Sequence, residues 1–299
     1  LWQDVYTWFM CSDYKQSASF VLSSLFKSNR ENRLTPGTGR ALYGRSLQTS
    51  VSGIEKFRAC PFAHFLDKGL RLRERDVYKI GAPDLGQFFH AALKLFGDQV
   101  QALGMDWGQL DREQCLDLAG SVADNLAPRL QSEILLSTDR RRYLTGKLKR
   151  TVQRTALILA EHSRRGLFQP VGLELSFGPG GELPALTFSL PGGSEMALRG
   201  RIDRIDAAAA ENGVYLRIID YKSGRVTLSL QDIYYGLKLQ LLAYLDVALR
   251  YAEKIAGARG MPGAILYFRI DDPLVKTDGE IPDAAEMDKR ILKELRMTG

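Results

Sequence analysis

Two acidic residues and one lysine in the second half of the chain have the types and the spacing that metal-assisted chemistry needs. Asp203 lies in GRIDRID, residues 200–206, and Asp220 and Lys222 lie in IIDYKSG, residues 218–224. Carboxylate oxygens hold Mg²⁺ or Mn²⁺, the cation polarises a phosphate and its bound water, and an ammonium group stabilises developing negative charge. Brought together, these residues predict hydrolysis of a phosphate ester.

A predicted β-hairpin supplies that geometry. Asn212-Gly213, between the two segments, is the dipeptide that most strongly favours a two-residue hairpin turn. With that turn, Asp203 lies opposite Lys222, and Asp220 shares their face because strand side chains alternate. The alternative is a surface ion-pair cluster on a two-stranded ribbon, and a one-residue slip of register would separate the set.

Two predicted helices add further polar side chains. Gln240 and Tyr244 are four residues apart and therefore lie on one face of the helix that follows the hairpin. Gly86 and His90 have the same spacing on an earlier helix. We expect the glycine to let that helix approach the sheet closely, so that His90 reaches a metal. The alternative for His90 is a packed core histidine.

The order of the predicted elements indicates an α/β domain, with a mixed central sheet flanked by helices and a helical insertion before the sheet. Helices are predicted over 1–30, from 50 towards 60, over 84–96 with Asp84 as the cap, and over 106–166, 230–256 and 283–296. Strands are predicted over 171–177, 186–190, 195–203, 214–222 and 263–270. We interpret 27–40 as a linker, 1–46 as the tail of a preceding domain with that linker, and 47–299 as the main domain.

Composition and charge exclude several classes of protein. The 299 residues are 45% hydrophobic and 25% charged, which is typical of a globular chain, and the net charge of +6 is compatible with a polyanionic partner. Three scattered cysteines indicate a reducing compartment, so we predict a cytoplasmic protein. No apolar run is long enough to cross a membrane. Because the chain lacks an initiator methionine and a signal peptide, we expect an internal piece of a longer protein.

One segment imitates a phosphate-binding loop. Residues 39–46 match the glycine spacing of that loop, with Arg45 where a lysine is required. Such a loop follows a buried strand, and the polar residues before Gly39 do not predict one. We therefore predict no ATPase activity in this chain.

Four motifs in order resemble the RecB-type branch of the PD-(D/E)XK nucleases. The motifs are GQFFH at 86–90, GRIDRID at 200–206, DYK at 220–222 and QLLAY at 240–244, and the resemblance extends from about Ser50 to Ile270. The lead-in at 52–75, the segment 82–94 and the long helical stretch are similar to the nuclease domain of AddB-type subunits of bacterial helicase–nucleases. The resemblance implies a restriction-endonuclease-like core.

The resemblance also implies roles for individual residues. Metal would be held by His90, Asp203, Asp220 and the backbone carbonyl of Tyr221. Lys222 would orient the attacking water or stabilise negative charge, and Gln240 and Tyr244 would brace the site and touch the DNA backbone. Glu174, on the preceding strand, would support the ligands or would be merely a strand-edge carboxylate.

The implied activity is that of a Mg²⁺- or Mn²⁺-dependent DNA exonuclease. It would hydrolyse phosphodiester bonds of single-stranded DNA, cutting the 5′-ended strand, during repair of double-strand breaks. The implied partner is an AddA-type helicase–nuclease subunit in a heterodimer. DNA-binding candidates are the basic residues Arg71, Arg73, Lys147 and Arg150.

An iron–sulfur cluster is implied only in part. Cys60 resembles the first ligand of the family's [4Fe–4S] cluster, whose other three ligands would form a C-terminal group absent up to Gly299. Cys11 and Cys115 do not match those positions. Because a cluster needs four ligands, we predict that this chain carries no intact one. Cys60 would then be a small apolar residue.

Three alternatives remain open. The first is a catalytically inactive nuclease fold that binds DNA or a partner, against which the presence of all four residues His90, Asp203, Asp220 and Lys222 argues. The second is the compact CRISPR-associated exonuclease of the same superfamily, for which the segment between His90 and Asp203 is long. The third is an unrelated α/β scaffold with a fortuitous hairpin.

Overall fold

The computed structural model describes residues 1–26, 33–44, 46–73, 81–131, 138–191, 193–271, 283–295 and 297–298. It divides into two compact units, Leu1–Gly44 and Arg45–Gly299. The first unit contains three helices, α1 (Trp2–Cys11), α2 (Lys15–Leu25) and α3 (Pro36–Tyr43). The assignment of this unit to a preceding domain stays a prediction.

The predicted linker is wrong in its second part. Residues 27–32 lie outside the described residues, but α3 begins at Pro36, inside the stretch interpreted as linker. The hydroxyl of Thr35 accepts a hydrogen bond from the backbone N–H of Thr38, and proline occupies the first helical position. These are two strong signals for a helix start, which outweigh the polar composition of the segment.

The second unit contains the sheet and its flanking helices. Its elements are, in order, β1 (Leu47–Ser50), α4 (Val51–Ala59), α5 (Pro61–His64), a π-helical turn (Phe65–Gly69), α6 (Ala82–Ala102), a 3₁₀ turn (Trp107–Gln109), α7 (Arg112–Gln131), α8 (Thr138–Arg165), β2 (Gln169–Phe177), β3 (Leu186–Ser189), β4 (Glu195–Ala210), β5 (Gly213–Lys222), α9 (Leu230–Tyr234), α10 (Gln240–Arg250), α11 (Ala252–Ala256), β6 (Gly260–Arg269) and α12 (Ala284–Glu294).

The long strand β4 organises a mixed six-stranded sheet. Its first part pairs in parallel with β1 and antiparallel with β3, and the rest pairs antiparallel with β2 and β5. Strand β6 runs parallel to β5. The predicted α/β architecture is confirmed, including the insertion of α7 and α8 before the main strands.

Two hydrophobic cores flank the sheet. Helices α6, α7 and α8 pack in one core with Ile219 and Phe268, and α10 packs in the other with Ile205 and Ile218. The core side chains bury the apolar stripes that the sequence periodicity predicts. Among the described residues, no helix combines the length and the apolar character needed to cross a membrane.

The hairpin forms, but its predicted turn is wrong. Ala210 pairs with Gly213, so the loop residues are Glu211 and Asn212. Gly213 has φ 144°, and a Cβ there would lie 2.2 Å from the carbonyl oxygen of Arg259. The glycine is therefore required in the strand, where the chain before β6 approaches closely, and not in the turn.

In the observed register Asp203 lies opposite Asp220, whereas the predicted turn placed it opposite Lys222. The ladder pairs Arg204 with Ile219, which places Asp203 beside Asp220. The displacement along β5 is two residues, and alternation along a strand has a period of two. Asp203, Asp220 and Lys222 therefore still share one face, as predicted.

The single helix predicted over 230–256 is wrong, because the chain forms α9, α10 and α11 there. Gly236 adopts φ 75° and ends the first piece. The carboxylate of Glu55, on α4, accepts hydrogen bonds from the backbone N–H groups of Leu239 and Gln240, at 2.6 and 3.0 Å. This contact between distant segments caps the start of α10, and no local pattern announces it.

The glycine that brings α6 close to the sheet is Gly97, and the expectation for Gly86 is wrong. A Cβ on Gly97 would lie 2.1 Å from Leu173 on β2 and 3.1 Å from Trp107. A Cβ on Gly86 would meet no atom within 4 Å. The start of α6 also differs slightly, since Gly81 is the cap and the side chain of Asp84 accepts its N–H.

We expect Gly97→Ala to lower the free energy of unfolding by about 1–3 kcal/mol, because the added methyl group overpacks the core between α6 and β2. Gly86→Ala is the matched control on the same helix. It should leave stability unchanged or raise it by up to about 1 kcal/mol, because alanine favours the helix. Urea denaturation of both variants measures the difference. Equal stability of the two would contradict the close approach at Gly97.

A buried charge network lies on the opposite side of the hairpin from Asp203. Asp206 accepts hydrogen bonds from Arg204, at 2.5 Å, and from Arg217, at 3.1 Å, both measured from Nε. Arg204 is fully buried, and its guanidinium lies 4.5 Å from the centre of the Trp107 ring. Arg204 and Asp206, in the second half of GRIDRID, thus join the sheet to the helical layer, and their side chains do not face the same side as Asp203.

His162, on α8, lies beside this network and gives the domain an acid-sensitive position. Burial, together with the charges of Arg204 and Arg217, lowers the pKa of His162 to about 4. Between pH 6.5 and 4 the unfolded chain therefore binds a proton that the folded chain does not. The stability associated with neutral His162 is present above about pH 6.5 and is lost as the pH falls towards 4.

Replacing His162 by glutamine should remove this component of acid sensitivity. We expect the wild type to lose about 2–3 kcal/mol more than His162→Gln between pH 7 and pH 4. Urea denaturation of both proteins across this pH range measures it. Parallel stability profiles of the two proteins would show that His162 does not carry the effect.

Candidate metal centre

His90, Glu174 and Asp203 meet where α6 crosses the β2–β4 pair. The Nδ1 atom of His90 lies 2.8 Å from Glu174 Oε1 and 3.4 Å from Asp203 Oδ1. The strand register explains the pairing of the two carboxylates, because the neighbouring residues of Glu174 pair with the neighbouring residues of Asp203. One ligand atom from each of the three residues lies within 4.8 Å of the other two.

Glu174 is held in an unusual backbone conformation. Its φ is 52°, a region that L residues with long side chains rarely occupy, in a strand whose register on β4 also shifts between Pro170 and Gly172. The side chain is only 6% exposed, and Oε2 contacts Arg201 Nε at 2.7 Å. Strain of this kind persists where surrounding contacts enforce it, and it concentrates at functional sites.

Asp203 and Asp220 lie side by side at the start of the hairpin. Asp203 Oδ2 accepts the backbone N–H of Tyr221 at 2.7 Å. Asp220 is 1% exposed, and Lys222 Nζ lies 2.6 Å from its Oδ2 as an ion pair. Among the described residues, neither oxygen of Asp220 accepts a well-directed hydrogen bond, so this carboxylate has unused ligand capacity.

Burial and a neighbouring negative charge shape the titration of this group. Burial and the Asp203 carboxylate together raise the pKa of Asp220 to about 6, although the charge of Lys222 opposes both effects. Two adjacent carboxylates in a low-dielectric site repel each other when both are ionised. A divalent cation relieves that repulsion, whereas the single charge of Lys222 does so only in part.

The neighbouring carboxylates also raise the pKa of His90. Burial alone lowers its pKa, but hydrogen bonds to Asp203 and Glu174, together with their charges, raise the pKa of His90 to about 10. The imidazolium therefore balances the carboxylates when no metal ion is bound. A metal ion held at Nδ1 would take the place of that proton.

Gln240 and Tyr244 lie on one face of α10, and Gln240 connects Tyr244 to Lys222. Gln240 Oε1 accepts from Lys222 Nζ at 3.2 Å, and Gln240 Nε2 donates to the Tyr244 hydroxyl at 3.0 Å. Gly200 makes this packing possible, because a Cβ there would lie 2.7 Å from the Phe177 ring and 3.3 Å from the Tyr244 ring. The first residue of GRIDRID is thus a site of close approach.

The centre opens into a cleft of about 370 Å³. His90 and Asp203 line one part of it, and Arg201 and Tyr244 line it from β4 and α10. Gly86 also lines the cleft, so the absence of a side chain there keeps the cleft wide and does not serve helix packing. The remaining lining residues are Pro83 and Gln87.

These residues fit a divalent cation. One imidazole nitrogen and carboxylate oxygens from Glu174 and Asp203 converge, and the buried oxygens of the neighbouring Asp220 lack well-directed donors within the described part of the chain. Oxygen-rich sets of this kind suit Mg²⁺ or Mn²⁺. The carbonyl of Tyr221 stays a predicted ligand, while the N–H of the same residue already orients Asp203.

Other predicted residues do not line the cleft. Cys60 is exposed and its Sγ accepts from the Ala63 N–H at 3.4 Å, capping α5. Arg71, Arg73, Lys147 and Arg150 are all exposed, and Arg150 lines a separate cavity of about 460 Å³ beside α7, α8 and α12. Their roles in DNA binding stay predictions.

Sequence reasoning underestimated Glu174 and did not single out Arg201. The sequence predicts Glu174 either as a residue that supports the metal ligands or as a carboxylate at a strand edge. In the structure it lies in direct contact with His90. Arg201 carries no motif signal of its own beyond its position two residues before Asp203 on the same strand face. Alternation along β4 is the one available signal for it.

Comparison with known proteins agrees with this geometry. A sequence profile described as the PD-(D/E)XK nuclease superfamily matches residues 48–297. The chain belongs to this nuclease superfamily. The PD-(D/E)XK assignment covers the sheet, the helical insertion and every residue of the centre.

Close relatives of this PD-(D/E)XK chain share one name, the B subunit of an ATP-dependent helicase/deoxyribonuclease. The whole chain is 68% identical to the protein of that name from Pelotomaculum thermopropionicum and 51% identical to the one from Desulforamulus reducens. It is 46% identical to the one from Geobacillus kaustophilus. The chain spans 26% of the length of these relatives. The predicted resemblance to B-type subunits of helicase–nucleases is confirmed.

Proposed function

We propose that this chain is the metal-dependent deoxyribonuclease domain of a helicase–nuclease subunit that acts in double-strand-break repair. The observation that carries the proposal is the convergence of His90, Glu174 and Asp203 beside one cleft, with the Asp220–Lys222 ion pair on the same face of the hairpin as Asp203. The names of the relatives support DNA as the substrate. The reaction is hydrolysis of a phosphodiester bond by water.

The cation site of the proposal is Mg²⁺ or Mn²⁺ held by His90, Asp203 and Asp220, with Glu174 beside them. A bound cation supplies Lewis-acid activation of the phosphate and lowers the pKa of a coordinated water. Glu174 and Asp203 keep Nδ1 of His90 directed into the centre. The ammonium group of Lys222, fixed by Asp220 and Gln240, is placed to orient the attacking water or to stabilise negative charge on the phosphate.

The partner and the cellular setting belong to the same proposal. The relatives are named as one subunit of an enzyme, which implies a companion subunit. We propose that the companion is an AddA-type helicase–nuclease that delivers single-stranded DNA. The 5′-ended strand is the proposed substrate, and the cytoplasm is the proposed location. The [4Fe–4S] cluster is proposed for the longer protein, with Cys60 as one ligand, and not for this chain alone.

Cleavage of end-labelled oligonucleotides tests the proposal. Linear single-stranded DNA labelled at either end is incubated with Mg²⁺, Mn²⁺ or EDTA, and circular single-stranded DNA serves as the control for internal cutting. We expect metal-dependent shortening of the linear DNA from its 5′ end and survival of the circle. Absence of metal-dependent cleavage, in the chain and in the full-length protein alike, would favour an inactive binding module.

A further inference from the structure

Arg201 is more exposed than the other side chains of the centre, and it is also held by a buried carboxylate. It is 61% exposed at the side chain and lines the cleft beside His90 and Asp203. Among the described residues, the side-chain partner of its guanidinium is Glu174, whose Oε2 lies 2.7 Å from Nε. The outer edge of the guanidinium, with its two terminal amino groups, is therefore available to a ligand in the cleft.

The surroundings of Arg201 limit its movement. Tyr244 lines the same cleft, and its hydroxyl is held by Gln240. Glu174, itself buried and in a strained conformation, holds the side chain. A flexible surface arginine loses conformational entropy on binding a ligand, whereas much of that loss has already occurred here.

The chemistry of this group selects its ligand. A guanidinium presents parallel N–H donors that match two oxygens of a phosphate, and such paired, charge-assisted hydrogen bonds are strong and directional. The site also needs a cation at its outer side, because its inner side is formed by carboxylates that repel a phosphodiester. Among the described residues that line this cleft, Arg201 supplies a permanent positive charge, whereas the charge of His90 depends on the proton at its imidazole.

We infer that Arg201 binds the non-bridging oxygens of a DNA phosphate in the cleft, and that Glu174 anchors Arg201 as well as facing the metal centre. The inference rests on the proposed function, because it assumes a phosphodiester substrate. It adds a substrate-binding residue that is separate from the metal ligands. Glu174 then links substrate binding to the metal site through opposite oxygens of one carboxylate.

The test compares Arg201→Met and Arg201→Lys with Arg250→Met. Arg250 is a matched control on α10, since it is 55% exposed and its Nε contacts the carboxylate of Asp246 at 3.0 Å. Three quantities are measured: kcat/KM for single-stranded DNA with Mn²⁺, the affinity for a fluorescent oligothymidylate in EDTA, and the affinity for Mn²⁺ alone by calorimetry.

We expect Arg201→Met to lower kcat/KM by about 10- to 100-fold. Its DNA affinity should fall about tenfold, and the slope of that affinity against salt concentration should decrease by about 0.7, the loss of one phosphate contact. Arg201→Lys should show smaller decreases in kcat/KM, in DNA affinity and in the salt slope. Affinity for Mn²⁺ should not fall in either variant, and Arg250→Met should match the wild type throughout.

Other outcomes overturn the inference in distinguishable ways. If DNA affinity and salt slope stay at wild-type values, Arg201 does not bind phosphate. If Mn²⁺ affinity falls in step with activity, Arg201 merely positions Glu174. If the wild type does not cleave DNA at all, the proposed function fails, but the DNA-binding measurements still decide whether Arg201 contacts phosphate.

Discussion

Asp220→Asn is expected to reduce metal-dependent cleavage by at least about 1,000-fold, because it removes a carboxylate ligand that contributes several kcal/mol of charge stabilisation through the cation. The amide keeps the shape of the side chain, so the fold should be retained. Affinity for Mn²⁺, measured by calorimetry, should fall with activity. Cleavage of labelled single-stranded DNA provides the rate.

The same variant should not be less stable than the wild type. Asp220 is almost completely buried next to Asp203, and burial with this neighbouring charge raises its pKa to about 6. Above that pH the ionised carboxylate destabilises the fold relative to the unfolded chain, whose aspartate ionises near its ordinary pKa. A neutral amide removes this cost, so the thermal midpoint at pH 7.5 should be unchanged or higher.

Asp246→Asn is the matched control for Asp220→Asn. Asp246 lies on α10, about half exposed and paired with Arg250, and it does not line the cleft. This variant should cleave DNA at the wild-type rate. Equal activity of Asp220→Asn and Asp246→Asn would show that Asp220 is not a ligand, and a collapse of stability in Asp220→Asn would show that it serves the fold.

Asp206→Ala is expected to lower the free energy of unfolding by about 3–5 kcal/mol, although Asp206 belongs to the same motif as Asp203. Its loss leaves the fully buried guanidinium of Arg204 without its carboxylate partner. Within the described part of the chain, Arg204 Nη1 already lacks a hydrogen-bond partner, so the group is poorly placed to compensate. Urea denaturation at pH 7 measures the change.

A double variant separates loss of the ion pair from loss of packing. In Arg204→Met with Asp206→Leu, the buried pair beside Trp107 is replaced by apolar side chains, and the methionine can occupy the space over that ring. We expect this double variant to be more stable than Asp206→Ala alone. The single variants Arg204→Met and Asp206→Leu are measured as well. If their losses of unfolding free energy add up to the loss in the double variant, Arg204 and Asp206 act independently.

The hairpin shows how much of the site a local sequence pattern can predict. Its turn is predicted at the wrong residues, yet Asp203, Asp220 and Lys222 share a face as expected. The error displaces the partner strand by two residues, and a period of two returns each side chain to the same face. Register depends on contacts outside the hairpin, here the approach of Arg259 to Gly213.

Contacts between segments that are distant in the sequence were set by packing and were not predicted by the sequence patterns. His90 and Glu174 are 84 residues apart, and their contact exists only because α6 crosses β2 at Gly97. The cap that Glu55 provides for α10 likewise joins segments with no shared periodicity. Neither contact alters the local sequence signal, so neither can be read from it.

The sequence by itself determined the chemistry of this protein: the ligand types, the lysine, the faces on which they lie and the α/β class, all of which follow from residue type and from periods of 2 and 3.6 along the chain. The tertiary structure alone decided which carboxylates contact His90, which arginine lines the cleft and which residues of GRIDRID stabilise the fold. The physical reason is that residue type and alternation act within a segment, whereas these choices depend on how separate segments pack.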